Sequence, residues 1–169
     1  MFIPLIVSFQ GSSQSGAFRD KDVLLNVGLG LNSPYGGGIP WGASMEFGVS
    51  DEFSVGGMVD FYNFRYHYSN NYYKYRVTYL GFRGSYHFNE LFHISNEKAD
   101  VYGGLTLGYR SFTWRDDFIG ADPARSYSSN LYLGVHFGGK YYFNDRIGGF
   151  LELGDLGSSN GRFGLGFRL

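Results

Sequence analysis

Asn130-Leu131-Tyr132-Leu133-Gly134-Val135-His136-Phe137-Gly138-Gly139-Lys140-Tyr141-Tyr142-Phe143-Asn144 is the stretch that decides how the rest of the chain is read. Its odd positions carry Leu131, Leu133, Val135, Phe137, Gly139, Tyr141 and Phe143. Its even positions carry Asn130, Tyr132, Gly134, His136, Gly138, Lys140, Tyr142 and Asn144. Successive side chains of a strand point to opposite faces, so one face of this segment is apolar and the other is small or polar. The run is longer than an ordinary globular strand. It stops at Asn144-Asp145-Arg146, which reads as a turn.

Working outward, the same alternation recurs on both sides. Towards the C-terminus, residues 146–154 set Ile147, Leu151 and Leu153 against Phe150, Glu152 and Gly154. The last strand sets Phe163, Leu165, Phe167 and Leu169 against Arg162, Gly164, Gly166 and Arg168. Towards the N-terminus, residues 100–111 alternate Val101, Leu105, Leu107 and Tyr109 with Tyr102, Gly104, Thr106, Gly108 and Arg110. Residues 53–63 alternate Val55, Gly57, Val59 and Phe61 with Ser54, Gly56, Met58, Asp60 and Tyr62. Residues 39–50 alternate Trp41, Ala43, Met45, Phe47 and Val49 with Gly42, Ser44, Glu46 and Gly48, and residues 22–31 alternate Val23, Leu25, Val27 and Leu29 with Asn26, Gly28 and Gly30.

A strand from about residue 73 to 88 is mixed. Leu80, Phe82 and Tyr86 oppose Gly81, Arg83 and Ser85, but Tyr75, Val77 and Tyr79 put apolar groups on the polar parity. That change of phase predicts a bulge or, where the strands cross a membrane, a departure from it. The reading therefore has eight strands joined by sequential hairpins. Connections after the second and sixth strands are tight. Those at 32–38, 64–72 and 112–128 are long, and residues 89–98 form a connector of mixed charge.

Composition agrees with an all-β chain of one domain. Glycine is 27 of 169 residues, about twice the usual share, and aromatics reach 20%. Charged residues are 17%, below the typical quarter, and the net charge of −1 gives no reason to expect nucleic acid as a partner. Cysteine is absent, which excludes disulfides and Cys-ligated zinc. No stretch approaches the roughly 18 consecutive apolar residues of a membrane-spanning helix, but barrel strands need be only half apolar. The apolar run Phe2 to Phe9 followed by Gly11, Ser12, Ser13, Ser15 and Gly16 reads as the end of a secretory signal cleaved after Ser13, or as a flexible N-terminus. Residues 1–19 are assigned to that segment and 20–169 to the barrel.

The chemistry of the two faces decides which one is inside. In a soluble lipocalin-like barrel the apolar face lines the cavity and the outer face carries many Lys and Glu. Here the polar face is mostly Gly, Ser, Thr, Asn and Tyr, which suits the narrow interior of an eight-stranded barrel. Its charges are of both signs: Glu46, Asp60 and Glu152 against Arg83, Arg110, Lys140, Arg162 and Arg168. Enclosed charges need partners, so an interior polar network of Glu46, Asp60, Arg83, Arg110, Lys140, Glu152 and Arg162 is expected. The other face offers Val27, Met45, Phe47, Val59, Leu105, Leu107, Leu133, Val135, Phe137, Leu151 and Leu165 to lipid. Trp41, Tyr109, Tyr141, Phe143 and Phe163 lie towards strand ends as an aromatic girdle.

On these strands, on Gly138-Gly139-Lys140-Tyr141-Tyr142-Phe143-Asn144-Asp145, and on the alternating last strand, residues 20–169 resemble the small eight-stranded outer-membrane barrels of the OmpA/OmpX type. The resemblance implies an antiparallel up-and-down transmembrane β-barrel in a Gram-negative outer membrane, with both termini periplasmic. Such proteins usually end in an aromatic residue; here Leu169 is last and Phe167 stands two residues earlier. The implied partners are outer-membrane lipids, lipopolysaccharide included, and envelope proteins met through the loops. A monomeric barrel without cofactor or metal is expected. A wall-anchoring role of the OmpA kind is not.

Some small barrels of this type modify lipid A, and such an activity needs a catalytic set. His67-Tyr68-Ser69 and His93-Ile94-Ser95 place a His two residues from a Ser, but a triad also needs an orienting carboxylate. Both read more simply as solvated loops. His136 reads as a hydrogen-bonded interior histidine. Arg115, Asp116, Asp117, Asp122 and Arg125 cluster in the longest loop without an EF-hand pattern. The expected function is a structural, adhesive or envelope-complex barrel with no wide pore and no catalytic residues. The alternatives are a lipid-modifying membrane enzyme and a soluble ligand-binding barrel.

Overall fold

The eight strands are β1 (Val23–Leu31), β2 (Trp41–Gly48), β3 (Phe53–Tyr68), β4 (Asn71–His87), β5 (Ala99–Trp114), β6 (Asn130–Tyr142), β7 (Ile147–Asp155) and β8 (Gly161–Arg168). Each pairs antiparallel with the next, and β1 pairs with β8 from Leu24↔Arg168 to Leu31↔Gly161, closing the sheet. Closure leaves no edge strand, so every strand has hydrogen-bonding neighbours on both sides. The computed structural model describes residues 17–33, 38–68, 71–114 and 129–169, with side chains for all of these except 64–68, 71–75 and 114.

Two expectations for β3 and β4 are corrected. The loop read at 64–72 is strand except at 69 and 70, which lie outside the described residues, because β3 and β4 stay paired up to Tyr68↔Asn71. Tyrosine suits a pleated surface, so a Tyr-rich segment without alternation can still pair. Nor is there a bulge in β4. Its register runs unbroken against β3 from Phe53↔Tyr86 and against β5 from Tyr75↔Trp114 to His87↔Tyr102. Val77 and Tyr79 simply point inward, where they pack with Met58 and Tyr62. The phase of side-chain direction never changed; only the polarity of the inward residues did.

Both ends of the sheet and the connections at 49–52, 88–98 and 143–146 lie at one mouth, called here the terminus end. Local side chains close its turns. Ser50 Oγ accepts from the backbone N–H of Phe53 at 3.1 Å, and Asn144 Oδ1 accepts from those of Arg146 and Ile147 at 2.9 and 2.8 Å. Such self-bonding is why Ser and Asn favour turns. At the opposite mouth, the β7–β8 loop folds inward through Gly157, whose φ of +81° is one that L side chains rarely adopt. This buries Leu156, Ser158 and Ser159.

The inside is filled in layers. Met58, Tyr62, Val77 and Tyr79 form the layer towards the far mouth, with Tyr132 set edge-on to Tyr79 at 5.3 Å. Below it the lumen is ionic. Glycines make room for the rings: a Cβ at Gly138 would stand 2.7 Å from Cε2 and Cζ of Tyr102 on the neighbouring strand. Gly138→Val is therefore expected to lower stability by about 1–3 kcal/mol through overpacking. The adjacent Gly139 faces outward, where a new Cβ would meet only a backbone oxygen at 3.9 Å, so Gly139→Val should be close to neutral. Urea unfolding of both variants refolded into vesicles checks this; equal losses would refute the lumen-packing argument.

Candidate functional site

The ionic lumen is built from five strands around Arg83. Its Nε lies 2.7 Å from Glu46 Oε1, and one terminal nitrogen donates to Glu152 Oε1 at 2.7 Å. Strand register explains the reach. Glu46 is level with Gly56, and Gly56 with Arg83, so the residue between acid and base has no side chain. Glu152 comes from the opposite wall on β7, where Tyr102 also donates its hydroxyl to Oε1 at 3.0 Å. Glu46 Oε2 accepts from Ser54 Oγ at 2.9 Å and from Ser85 Oγ at 2.6 Å. All these side chains are buried.

A second pair lies nearer the far mouth, where Arg162 donates to Asp60 and Ser158 Oγ donates to the same carboxylate at 2.6 Å. The inward-folded loop is thus tied to the ionic core. Lys140 is buried as well. Its Nζ sits 5.8 Å from the ring centre of Tyr102 and 5.7 Å from that of Tyr142, and among the described residues it has no hydrogen-bond partner. Its register partner is Asp100, whose Oδ2 also has none. Arg110 stands higher on β5, with its guanidinium 5.2 Å from the Phe112 ring centre. The lumen therefore joins Glu46, Arg83 and Glu152 in one chain of contacts and Asp60 with Arg162 in another. Lys140 lies against the rings of Tyr102 and Tyr142, and Arg110 lies against Phe112 beside the apolar layer.

Sequence reasoning passed over a further set at the terminus end. His87 Nδ1 is 2.8 Å from Asp100 Oδ1, and its Nε2 is 3.0 Å from Ser54 Oγ. The signal was present, since His87 and Asp100 both fall on the inward parity of their strands. Asp, His and Ser in this order have the outline of a hydrolytic triad. The chemistry is different here. Ser54 is fully buried and its hydroxyl donates to Glu46, while Phe18 lies flat on the imidazole with ring centres 3.5 Å apart. Among the described residues that oxygen is covered, and the three side chains form a hydrogen-bonded chain across this mouth. Ala17 is buried beside it and its carbonyl accepts from Arg168, which closes this mouth. Outside the span, Glu52 in the β2–β3 turn has its carboxyl raised above the ordinary value, by desolvation first and then by neighbouring Glu90.

The other histidines differ. His136 is buried, with Nε2 3.0 Å from Ser85 Oγ. His93 is exposed in the β4–β5 connector, at φ +55°, with Nδ1 3.0 Å from the Glu90 carbonyl oxygen. The side chains of His67 and Ser69 and the cluster from Arg115 to Arg125 lie outside the described residues. Among the described residues no group of three His, Asp or Glu side chains is placed to hold a metal ion.

The outer surface is the reverse of the lumen. Leu107, Leu133, Phe137 and Leu105 are between 56% and 64% exposed, and Phe82 reaches 82%. Val27, Met45, Phe47, Val135, Leu151 and Leu165 are exposed beside them, and Val59 is partly covered. A contiguous apolar surface of this extent marks a face that meets a membrane or another protein rather than water.

No protein-family model matches the chain, and no curated protein does. Solved structures do. The chain aligns with the outer membrane protein OprG of Pseudomonas aeruginosa at a TM-score of 0.61 and 12% identity, covering 93% of this chain and 99% of that one. The chain has the fold of the small outer-membrane barrels. The N-terminal barrel of Pseudomonas aeruginosa OprF aligns over 89% of this barrel and 98% of its own length, at a TM-score of 0.52 and 15% identity. Ail of Yersinia pestis, solved with the heparin analogue sucrose octasulfate, aligns over 88% of this barrel and 97% of its own, at 0.51 and 13%. At these identities the likeness is one of architecture. It agrees with the apolar exterior, which marks the barrel as transmembrane.

Proposed function

We propose that the protein is a monomeric, non-catalytic barrel of the Gram-negative outer membrane, with a structural or adhesive role and no open pore. The observation that carries this is the double closure of the lumen. Ala17 and Phe18 stop one mouth, Leu156, Ser158 and Ser159 fold into the other, and the Glu46–Arg83–Glu152 chain fills the middle. Eight strands leave a bore that side chains can fill, and here they do. Its partners on this reading are the surrounding lipids, lipopolysaccharide included, and envelope or surface molecules met by the far-mouth loops. Short turns are the periplasmic feature of bacterial barrels, so the terminus end, with its tight turns at 49–52 and 143–146, is assigned to the periplasm. The chain shares its fold with an Ail structure that holds the heparin analogue sucrose octasulfate, and attachment through the far-mouth loops is the form of adhesive role proposed for it.

Purified protein is expected to need detergent, to migrate differently on gels before and after boiling, and to give no steady conductance in planar bilayers. A stable, monodisperse protein in plain buffer would overturn the membrane reading. Sustained conductance from the intact chain would overturn the closed-lumen reading.

A further inference from the structure

We propose that the β4–β5 connector, residues 88–98, is an anchor that docks on the lipid interface beside the barrel. This rests on the outer-membrane placement proposed above. The connector is longer than the other two turns at its end, and it is built. The backbone N–H of Phe92 donates to the Phe88 carbonyl at 2.9 Å, and that of Ile94 to the Asn89 carbonyl at 2.9 Å. Asn89 then bridges to β5, accepting from the Val101 N–H and donating to the Ala99 carbonyl, each at 2.9 Å. This fixed turn holds two adjacent large apolar side chains outward, Leu91 and Phe92, each 59% exposed, and they matter because they continue a larger apolar patch.

Continuity with the apolar belt identifies the cover as lipid. The Phe92 ring stacks on Phe88 with centres 5.4 Å apart, and Phe88 stacks on Phe137 at 5.6 Å and 6°. Phe137 belongs to the outward face of β6. The seat for Phe88 is Gly103, an outward position of β5, where a Cβ would stand 3.2 Å from the Phe88 ring and 3.3 Å from that of Phe137. A missing side chain in the belt thus lets the connector lean against the wall and carry the aromatic column past the strand ends. Aromatic rings at that level favour the boundary between headgroups and acyl chains.

The chain has no cysteine, so single-cysteine labelling reports one place at a time. Phe92→Cys, Leu133→Cys and Glu97→Cys, each spin-labelled and refolded into phosphatidylethanolamine/phosphatidylglycerol vesicles, can be compared for collision with oxygen and with a water-soluble nickel complex. Residue 133 should favour oxygen strongly and residue 97 should favour nickel. Residue 92 should give an oxygen-to-nickel ratio several-fold above residue 97 and below residue 133. Adding Gly103→Val should bring residue 92 down towards residue 97. If residue 92 matches residue 97 while 133 stays deep, the anchor is refuted and the barrel placement stands. If residue 133 also behaves as watery, both fall.

Discussion

Arg83→Met is expected to lower the stability of the folded barrel by about 3–5 kcal/mol, the cost of leaving buried charge without its partner. Arg83 holds two carboxylates at 2.7 Å, Glu46 and Glu152, and neither has another basic group within ion-pair distance among the described residues. Serines and Tyr102 would still donate to them, but hydrogen bonds from neutral groups do not cancel charge. Neutralising the acids in the same protein, as Glu46→Gln/Arg83→Met/Glu152→Gln, should return much of the loss, since the network as a whole contributes little beyond a well-packed neutral one. Replacing Glu97, an exposed connector residue, should change little. Urea titration in vesicles, followed by tryptophan fluorescence, measures all three. A single Arg83→Met variant as stable as Glu97→Ala would remove the case for the ionic core.

Leu133→Arg is the complementary experiment on the outer wall. Leu133 is 64% exposed and level with Leu107 on β5, 59% exposed, so the two form one apolar row. An arginine near the bilayer midplane costs about 2–4 kcal/mol, falling towards zero near the interface. Leu133→Arg, and Leu107→Arg beside it, should lie in the upper range, whereas Ile147→Arg, at the start of β7 by the terminus-end mouth, should cost less. In a water-soluble barrel the same changes would be neutral, because an exposed leucine gains nothing from lipid. Equal tolerance of arginine at 133 and at Glu97 would show that this wall does not face a membrane.

The history of β4 shows how far polarity can stand in for geometry. Alternation placed Arg83 and Ser85 inside correctly because those residues are polar. Around Val77 and Tyr79 it suggested a bulge that is not there, because an apolar side chain in the lumen carries the signature of the outer wall. The inward layer of Met58, Tyr62, Val77 and Tyr79 is legible only once the register with β3 and β5 is known. The missed His87 has the opposite cause. Strict parity from Arg83 through Ser85 reaches His87 without a break, so the signal existed, whereas His-Ser spacing along the chain points to His67 and His93 instead. A histidine's neighbours in a barrel come from adjacent strands, two or more dozen residues away in the case of Ser54.

The sequence by itself determined the strand count, the order of hairpins and the face that turns outward, because side-chain direction in a strand has a period of two and each residue's polarity can be read in place. Tertiary structure alone decided which charges meet. Arg83 finds Glu46 because register sets Gly56 between them, and finds Glu152 because closure brings β7 across from β4. The same closure admits Phe18 to one mouth and Ser158 to the other. Those contacts depend on the stagger and diameter of the closed sheet, quantities that belong to all eight strands together and to no segment of the chain.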